Sequence, residues 1–251
     1  MKFYLGTHMP SHIEKTQIPL FISYRQLRNR KKPFQQTAQI AIDSGGFSEL
    51  RLNGKWTITA EQYVQDLNRF QDELDLKIDW AAQQDWMVEP FMIEKTGLSI
   101  EKHQIKTVEN YFKILDYDPV CEIIPVLQGW ELNDYYKHFE LFEEQGVELR
   151  KLNRVGVGSV CRRQGTNEIN HIMQSLNNKG IKIHGFGVKT SGLSKYSNAL
   201  HSADSLAWSF GARYSQQHCS IHKENPSTKN CANCLSYALE WREKVLKASK
   251  P

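Results

Sequence analysis

Three aspartates, one glutamine and a cluster of cysteine and histidine are the residues of this chain whose types and spacing could do chemistry. Asp43 closes the apolar run IAID and precedes Ser44, Gly45, Gly46 and Phe47; Gln128 and Gly129 close EIIPVLQG; Asp204 sits in SADSLAW. Asp85 follows the apolar run LKIDWAA. Two carboxylates flanking an anomeric carbon can break a glycosidic bond, one attacking and the other handling the proton. A single aspartate at a strand end is more often a turn or N-cap residue, so the argument rests on their joint placement. Glycines after Asp43 let backbone approach a ligand closely and expose amides to it, although a tight strand-to-helix turn needs them equally. Gln128 offers a donor and an acceptor in one plane, which suits the edge of a planar heterocycle. Phe47 and Trp86 could stack on such a ring or belong to the core.

The metal signal is the most specific. Cys219, His222, Cys231 and Cys234 form two short-spaced pairs, C-x2-H and C-x2-C. Four such ligands suit tetrahedral zinc and leave no position for water, so the expected site is structural. His218 could replace His222, since spacing does not separate them. Free thiols are the plainer alternative for the cysteines, and Cys121 and Cys161 stand alone.

Chemistry at successive strand ends requires a scaffold that gathers them. Eight segments have strand character: KFYLGT, IPLFISY, QIAIDSG, LKIDWAA, EIIPVLQG, RVGVGS, IKIHGFGV and SLAW. Helical periodicity fills most intervals: 58–74 opening with a Thr59-x-x-Gln62 box, 99–115, 132–145, and 168–179 ending at Gly180. A basic loop replaces a helix between Tyr24 and Thr37, and a last helix is expected over 235–247, packed on the barrel. Alternating strand and helix with eight strands predicts an α/β protein, a (β/α)8 TIM barrel, as one domain over 1–251 with a zinc-binding subregion over 218–235. A doubly wound Rossmann sheet would need a G-x-G-x-x-G turn, which is missing. In a barrel the strand C-termini share one face, which adds Gly158, Ser159 and Lys189 to the candidates.

The chain has 251 residues and a formal charge of +4, too modest to argue for nucleic acid by itself. Its distribution says more: Arg28, Arg30, Lys31, Lys32, Arg162 and Arg163 follow strands and could form a basic rim around an acidic cavity, or simply solvated loops. No apolar run approaches a membrane span, and the N-terminus lacks an apolar signal region, so a cytoplasmic location without membrane contact is expected.

DSGGF at 43–47, Asp85, LQG at 127–129, VGVGS at 155–159, HGFGVK at 184–189, and Asp204 followed by cysteine and histidine resemble the tRNA-guanine transglycosylase superfamily, in family order over most of the chain. The compact length, Trp130 in place of a further glycine, SADSLAW around Asp204 and the histidine between the cysteines are similar to its DpdA-type branch, the DNA-guanine transglycosylases of phages and bacterial modification clusters. The resemblance implies exchange of guanine in DNA for a free 7-deazaguanine base, in the cytoplasm of a bacterium or an infected host, with tRNA as the alternative polymer. It assigns Asp204 as nucleophile and Asp43 as general acid/base. Asp85, Gln128 and the Gly158 backbone would read the base edge, with Ser44 assisting and Phe47 stacking. Two other classes compete: a metal-dependent barrel hydrolase using His8 and the aspartates, and a non-catalytic nucleic-acid-binding scaffold.

Overall fold

A computed structural model of the protein describes residues 1–224 and 229–248. Part of the zinc subregion expected over 218–235, residues 225–228, and the last three residues of the expected domain lie outside them. The strands are all parallel and form a barrel: β1 (Lys2–Thr7), β2 (Leu20–Ser23), β3 (Ile40–Asp43), β4 (Ile78–Ala82), β5 (Glu122–Ile124), β6 (Val126–Leu127), β7 (Val155–Val157), β8 (Ile183–Gly185) and β9 (Ser202–Ser205). Among the described residues they number nine rather than the eight read from sequence because Pro125 interrupts EIIPVLQG. Proline has no N–H for the ladder. The segment therefore changes partner there: β5 pairs with β4, β6 pairs with β7, and the Pro125 carbonyl accepts from Gly156 N at 2.8 Å. The chain itself joins the two ends of the sheet. The expected last strand SLAW is also displaced: Ser202–Ser205 form β9, and Leu206 leaves extended geometry so that the helix starts at Ala207.

Helices α1 (Tyr24–Leu27), α2 (Gly46–Asn53), α3 (Ala60–Asp72), α4 (Pro90–Thr96), α5 (Ile100–Leu115), α6 (Leu132–Glu144), α7 (Asn167–Asn178), α8 (Thr190–Tyr196), α9 (Ala207–Tyr214) and α10 (Leu235–Ala248) cover the strands. Predicted starts coincide with real caps: Thr59 accepts from Gln62 N at 3.1 Å and Ser99 from Lys102 N at 3.2 Å. The single turn of α1 is the only helix in the basic second unit between Tyr24 and Thr37. Helix α10 packs on the barrel through Trp241, 6.3 Å from the Phe3 ring. Among the described residues no helix is long and apolar enough to cross a membrane.

Strand periodicity decides what enters the barrel. Successive side chains point to opposite faces, so Leu20, Ile22, Ile40, Ile42, Val155 and Val157 pack outward in the large buried cluster under the helices. Their alternates, Tyr4, Phe21, Ala41, Trp80, Ala82 and Ile124, fill the interior with Phe186. Trp80 is the centre of this plug: its indole donates to Tyr4 Oη at 2.9 Å, and its ring lies 5.3 Å from Phe21 and 4.7 Å from His184. The same parity carries Asp43 inward two residues after Ala41, above the plug.

The approach of β1 to the segment after Asp204 depends on Gly6, where a Cβ would sit 2.7 Å from the Ser205 carbonyl carbon. Backbone cannot yield as a side chain can. Gly6→Ala is expected to destabilise the fold by about 1–3 kcal/mol, the usual cost of overpacking. Urea denaturation checks this, with an unchanged midpoint as the contrary result.

Candidate active site

At the C-terminal ends of the strands lies a cavity of about 410 Å³ whose lining includes Asp43, Gly46, Phe47, Asp85, Gln128, Gly158, Ser159 and Asp204. Ser44, Gly45, Gly129 and Lys189 do not line it. Ser44 is buried behind the wall. Gly129 exists for packing, since a Cβ there would meet the Tyr135 ring at 2.7 Å. Lys189 is exposed and caps α8, its amide donating to Gln164 Oε1 at 2.6 Å. Trp86 is core, 8% exposed, against His103.

The DSGG turn uses its two glycines for different reasons. Gly45 has φ +85°, a left-handed conformation that suits glycine. Gly46 is wedged so that a Cβ would lie 3.1 Å from the Trp56 ring and 3.3 Å from Asp85 Oδ1. The turn returns the Gly45 amide to the Asp43 carboxylate, which also accepts from Ser23. Despite these bonds, burial and then the charge of Asp204 push the Asp43 pKa up from 3.8 to about 6.

Asp204 is held by the segment HGFG. Its Oδ1 accepts from the Gly187 amide at 3.1 Å. Gly187 has φ +65°, and a Cβ there would strike Cys161 at 2.7 Å. His184 Nε2 lies 3.4 Å from the same Oδ1, while its Nδ1 contacts Ser202 Oγ at 2.9 Å. Burial lowers the His184 pKa, which favours the neutral ring and leaves Asp204 without a full countercharge. His184, Phe186 and Gly187 were not singled out individually in the sequence, although the inward parity of His184 in IHG signals it.

Gln128 and Asp85 form a rigid edge. Gln128 Nε2 donates to Asp85 Oδ2, and Gln128 Oε1 accepts from Ser159 Oγ at 2.6 Å. Ser159 Oγ also accepts from Val88 N and contacts Glu89 Oε2, both at 3.0 Å. One hydroxyl proton cannot serve both Gln128 and Glu89. The bonds close when Glu89 is protonated and donates to Ser159, and burial raises the Glu89 pKa in that direction. The chain from Glu89 through Ser159 thus fixes which way the Gln128 amide faces. Glu89, 2% exposed in a loop, carried no sequence signal. Asp85 is pushed up to about 7, first by burial, with Asp43 and Glu89 adding to it.

Gly158 departs from its expected use. Its N–H is committed to Leu127 O at 3.0 Å and its carbonyl accepts from Tyr135 Oη at 2.8 Å. Glycine is needed because a Cβ would lie 2.2 Å from Gln128 Nε2.

The expected basic rim divides. Arg162 lies over the Phe91 ring at 4.4 Å and the cavity-lining Phe47 at 5.5 Å. Arg163 is engaged elsewhere: it stacks on Trp130 at 3.7 Å, donates to the Trp130 carbonyl at 2.6 Å and pairs with Glu168 at 2.9 Å. Arg28, Arg30, Lys31 and Lys32 do not line the cavity; Arg69, near the C-terminal end of α3, binds the Arg28 and Arg30 carbonyls. Arg25 lines the cavity instead, paired with Glu49 at 2.5 Å.

Cys219, His222, Cys231 and Cys234 place their ligand atoms within 4.8 Å of one another. The Sγ atoms of Cys231 and Cys234 each lie 3.8 Å from that of Cys219, and His222 Nδ1 lies 3.2 Å from it. Tetrahedral bonds of about 2.3 Å to sulfur give an edge of about 3.8 Å, so the donor set fits a metal ion. His222, not His218, supplies the nitrogen in this group. Between the ligands, Asn233 Oδ1 meets His8 Nε2 at 2.7 Å, joining the cluster to a residue of the cavity lining. Among the described residues, no such ligand group occurs in the cavity.

The model of the family DpdA, DeoxyPurine in DNA protein A, matches residues 1–251. The chain belongs to the DpdA family. A search of curated protein sequences found no significant match. The DpdA match agrees with the resemblance read from DSGGF, LQG and HGFGVK, whose residues are the cavity's wall and supports.

Two outcomes follow from this geometry. Because the folded state holds the Asp43 proton between 3.8 and about 6 while the unfolded chain releases it, stability falls as pH rises through that window. Asp43→Asn should therefore be more stable than wild type by up to about 3 kcal/mol at about pH 8, and about equal below pH 4. Urea titrations at both pH values read this; a pH-independent difference contradicts it. Metal analysis should find one tightly held ion per chain, and Cys231→Ser should lose it with a lowered Tm.

Proposed function

We propose that this DpdA-family protein is a DNA-guanine transglycosylase, exchanging guanine in DNA for a free 7-deazaguanine base through a covalent aspartyl-glycosyl intermediate. The observation that carries the reading is the convergence of Asp43, Asp204 and the Asp85–Gln128 edge on one cavity, in a chain whose family is described by a purine in DNA.

Asp204 is the nucleophile. Its carboxylate oxygen bonds to C1′ of the deoxyribose as the bond from C1′ to guanine N9 breaks. Protonated Asp43 gives its proton to the departing guanine. The incoming 7-deazaguanine then loses its N9 proton to the Asp43 carboxylate, and N9 displaces Asp204 from C1′. Two inversions restore the original configuration, and both aspartates return to their starting states. A pKa near 6 suits a group that must give and take a proton within one cycle near neutrality. The Gly187 amide steadies the Asp204 carboxylate.

Asp85 accepts from the ring and exocyclic N–H groups of a guanine-like base. The second amide hydrogen of Gln128 donates to the base carbonyl, in the orientation that Ser159 sets. Phe47 supplies a ring face. An adenine edge, with its donor and acceptor reversed, would leave both Asp85 and Gln128 mismatched. The target nucleotide reaches this cavity only outside the duplex stack. Arg25 and Arg162 stand at the cavity for its phosphates; Arg28, Lys31 and Lys32 are left for backbone farther along the strand. We assign zinc to the cysteine cluster, as a support for the fold and the His8 side of the cavity.

Wild-type protein, DNA and a 7-deazaguanine should give a modified deoxynucleoside by mass spectrometry. Asp204→Asn should lose exchange by several orders of magnitude while retaining its circular dichroism spectrum. A protein-DNA adduct resistant to denaturing gels should form with wild type alone. Modification confined to tRNA, or full activity of Asp204→Asn, overturns the proposal.

A further inference from the structure

Helix α9 begins three residues after Asp204 and holds aromatic surface that the catalytic reading leaves unused. Phe210 is 65% exposed and Tyr214 71%, with ring centroids 4.3 Å apart. Leu206, 40% exposed, lines the cavity. These three residues fall at four-residue intervals and so share one helical side, leading outward from the cavity. The other side is anchored: Trp208 is fully buried and donates to the Gly6 carbonyl at 2.7 Å, and Ala212 is buried. The aromatic pair therefore cannot relieve its exposure by turning α9 onto the core. No Asp or Glu occurs between Asp204 and Glu224, and Arg213 is exposed beside the pair.

We propose that Leu206, Phe210 and Tyr214 form a stacking platform for unpaired bases of the DNA strand next to the nucleotide held in the cavity. The proposal rests on the DNA reading above. A strand that delivers C1′ to Asp204 leaves the cavity past its lining, of which Leu206 is part. Its neighbouring bases have lost a stacking partner to extrusion, and aromatic faces replace that partner without regard to sequence. Arg213 and the lack of a carboxylate on α9 itself suit the accompanying phosphates. A protein partner would have no need of a face that starts at the cavity.

The test uses fluorescence anisotropy with a labelled single-stranded oligonucleotide containing one guanine. Phe210→Ala and Tyr214→Ala should each weaken binding by about tenfold, while Phe210→Trp retains it. KM for DNA should rise with kcat little changed, and calorimetric binding of free 7-deazaguanine should be unaltered. Abasic sites flanking the guanine should weaken wild type by a similar factor and remove the difference between wild type and variants. Wild-type binding and exchange that Phe210→Ala and Tyr214→Ala do not disturb overturn the platform alone. A wild type that binds no DNA overturns the DNA reading together with it. Loss of a dimer in the variants with DNA affinity unchanged assigns the face to a second copy and also overturns the proposal.

Discussion

The constraint on which the rest of this structure depends is the cost of holding carboxylates together away from water. Asp43, Asp85 and Asp204 face one cavity, and burial with mutual repulsion lifts the first two to about 6 and about 7. A buried carboxylate that remains charged must find donors, and each of these does so in its own way. Asp43 takes the Gly45 amide and Ser23, Asp204 the Gly187 amide, and Asp85 the Gln128 amide. The left-handed Gly45 and Gly187 are two separate solutions to the same problem. Each bends the backbone so that an N–H faces the carboxylate.

Beneath the cavity, the aromatic plug sets its depth. Trp80, Tyr4, Phe21 and His184 occupy the barrel axis, and His184 belongs both to the plug and to the surroundings of Asp204. A neutral, buried imidazole borders the carboxylate without quenching its charge. Glu89, Ser159 and Gln128 repeat the pattern on the opposite wall, where a buried acid sets a hydroxyl and the hydroxyl sets an amide. In both places a second residue supplies direction while the first keeps its chemistry. The metal-fitting cluster stands outside the cavity and reaches its lining through Asn233 and His8.

By itself the sequence determined the barrel, most helix starts and the polar residues that line the cavity, Asp43, Asp85, Gln128 and Asp204. Strand parity, caps such as Thr59 and Ser99, and strand-end polar residues are local, and local rules read them. Apolar alternation in IAID sends Asp43 inward whatever surrounds it. The paired spacing of the cysteines likewise names the cluster that fits a metal ion, apart from the choice of His222 over His218. Tertiary structure alone decided what depends on residues distant in sequence. Pro125 interrupts its strand locally, but that β5 pairs with β4 and β6 with β7 across it is set by those distant strands, and Gly158 is required by Gln128, thirty residues earlier. Lys189 and Arg163 carry the residue types of a site, but one caps a helix and the other stacks on Trp130. Glu89 was invisible because its role exists only through Ser159. Hydrogen-bond partners and pKa shifts are properties of what packs around a side chain, and no spacing rule encodes them.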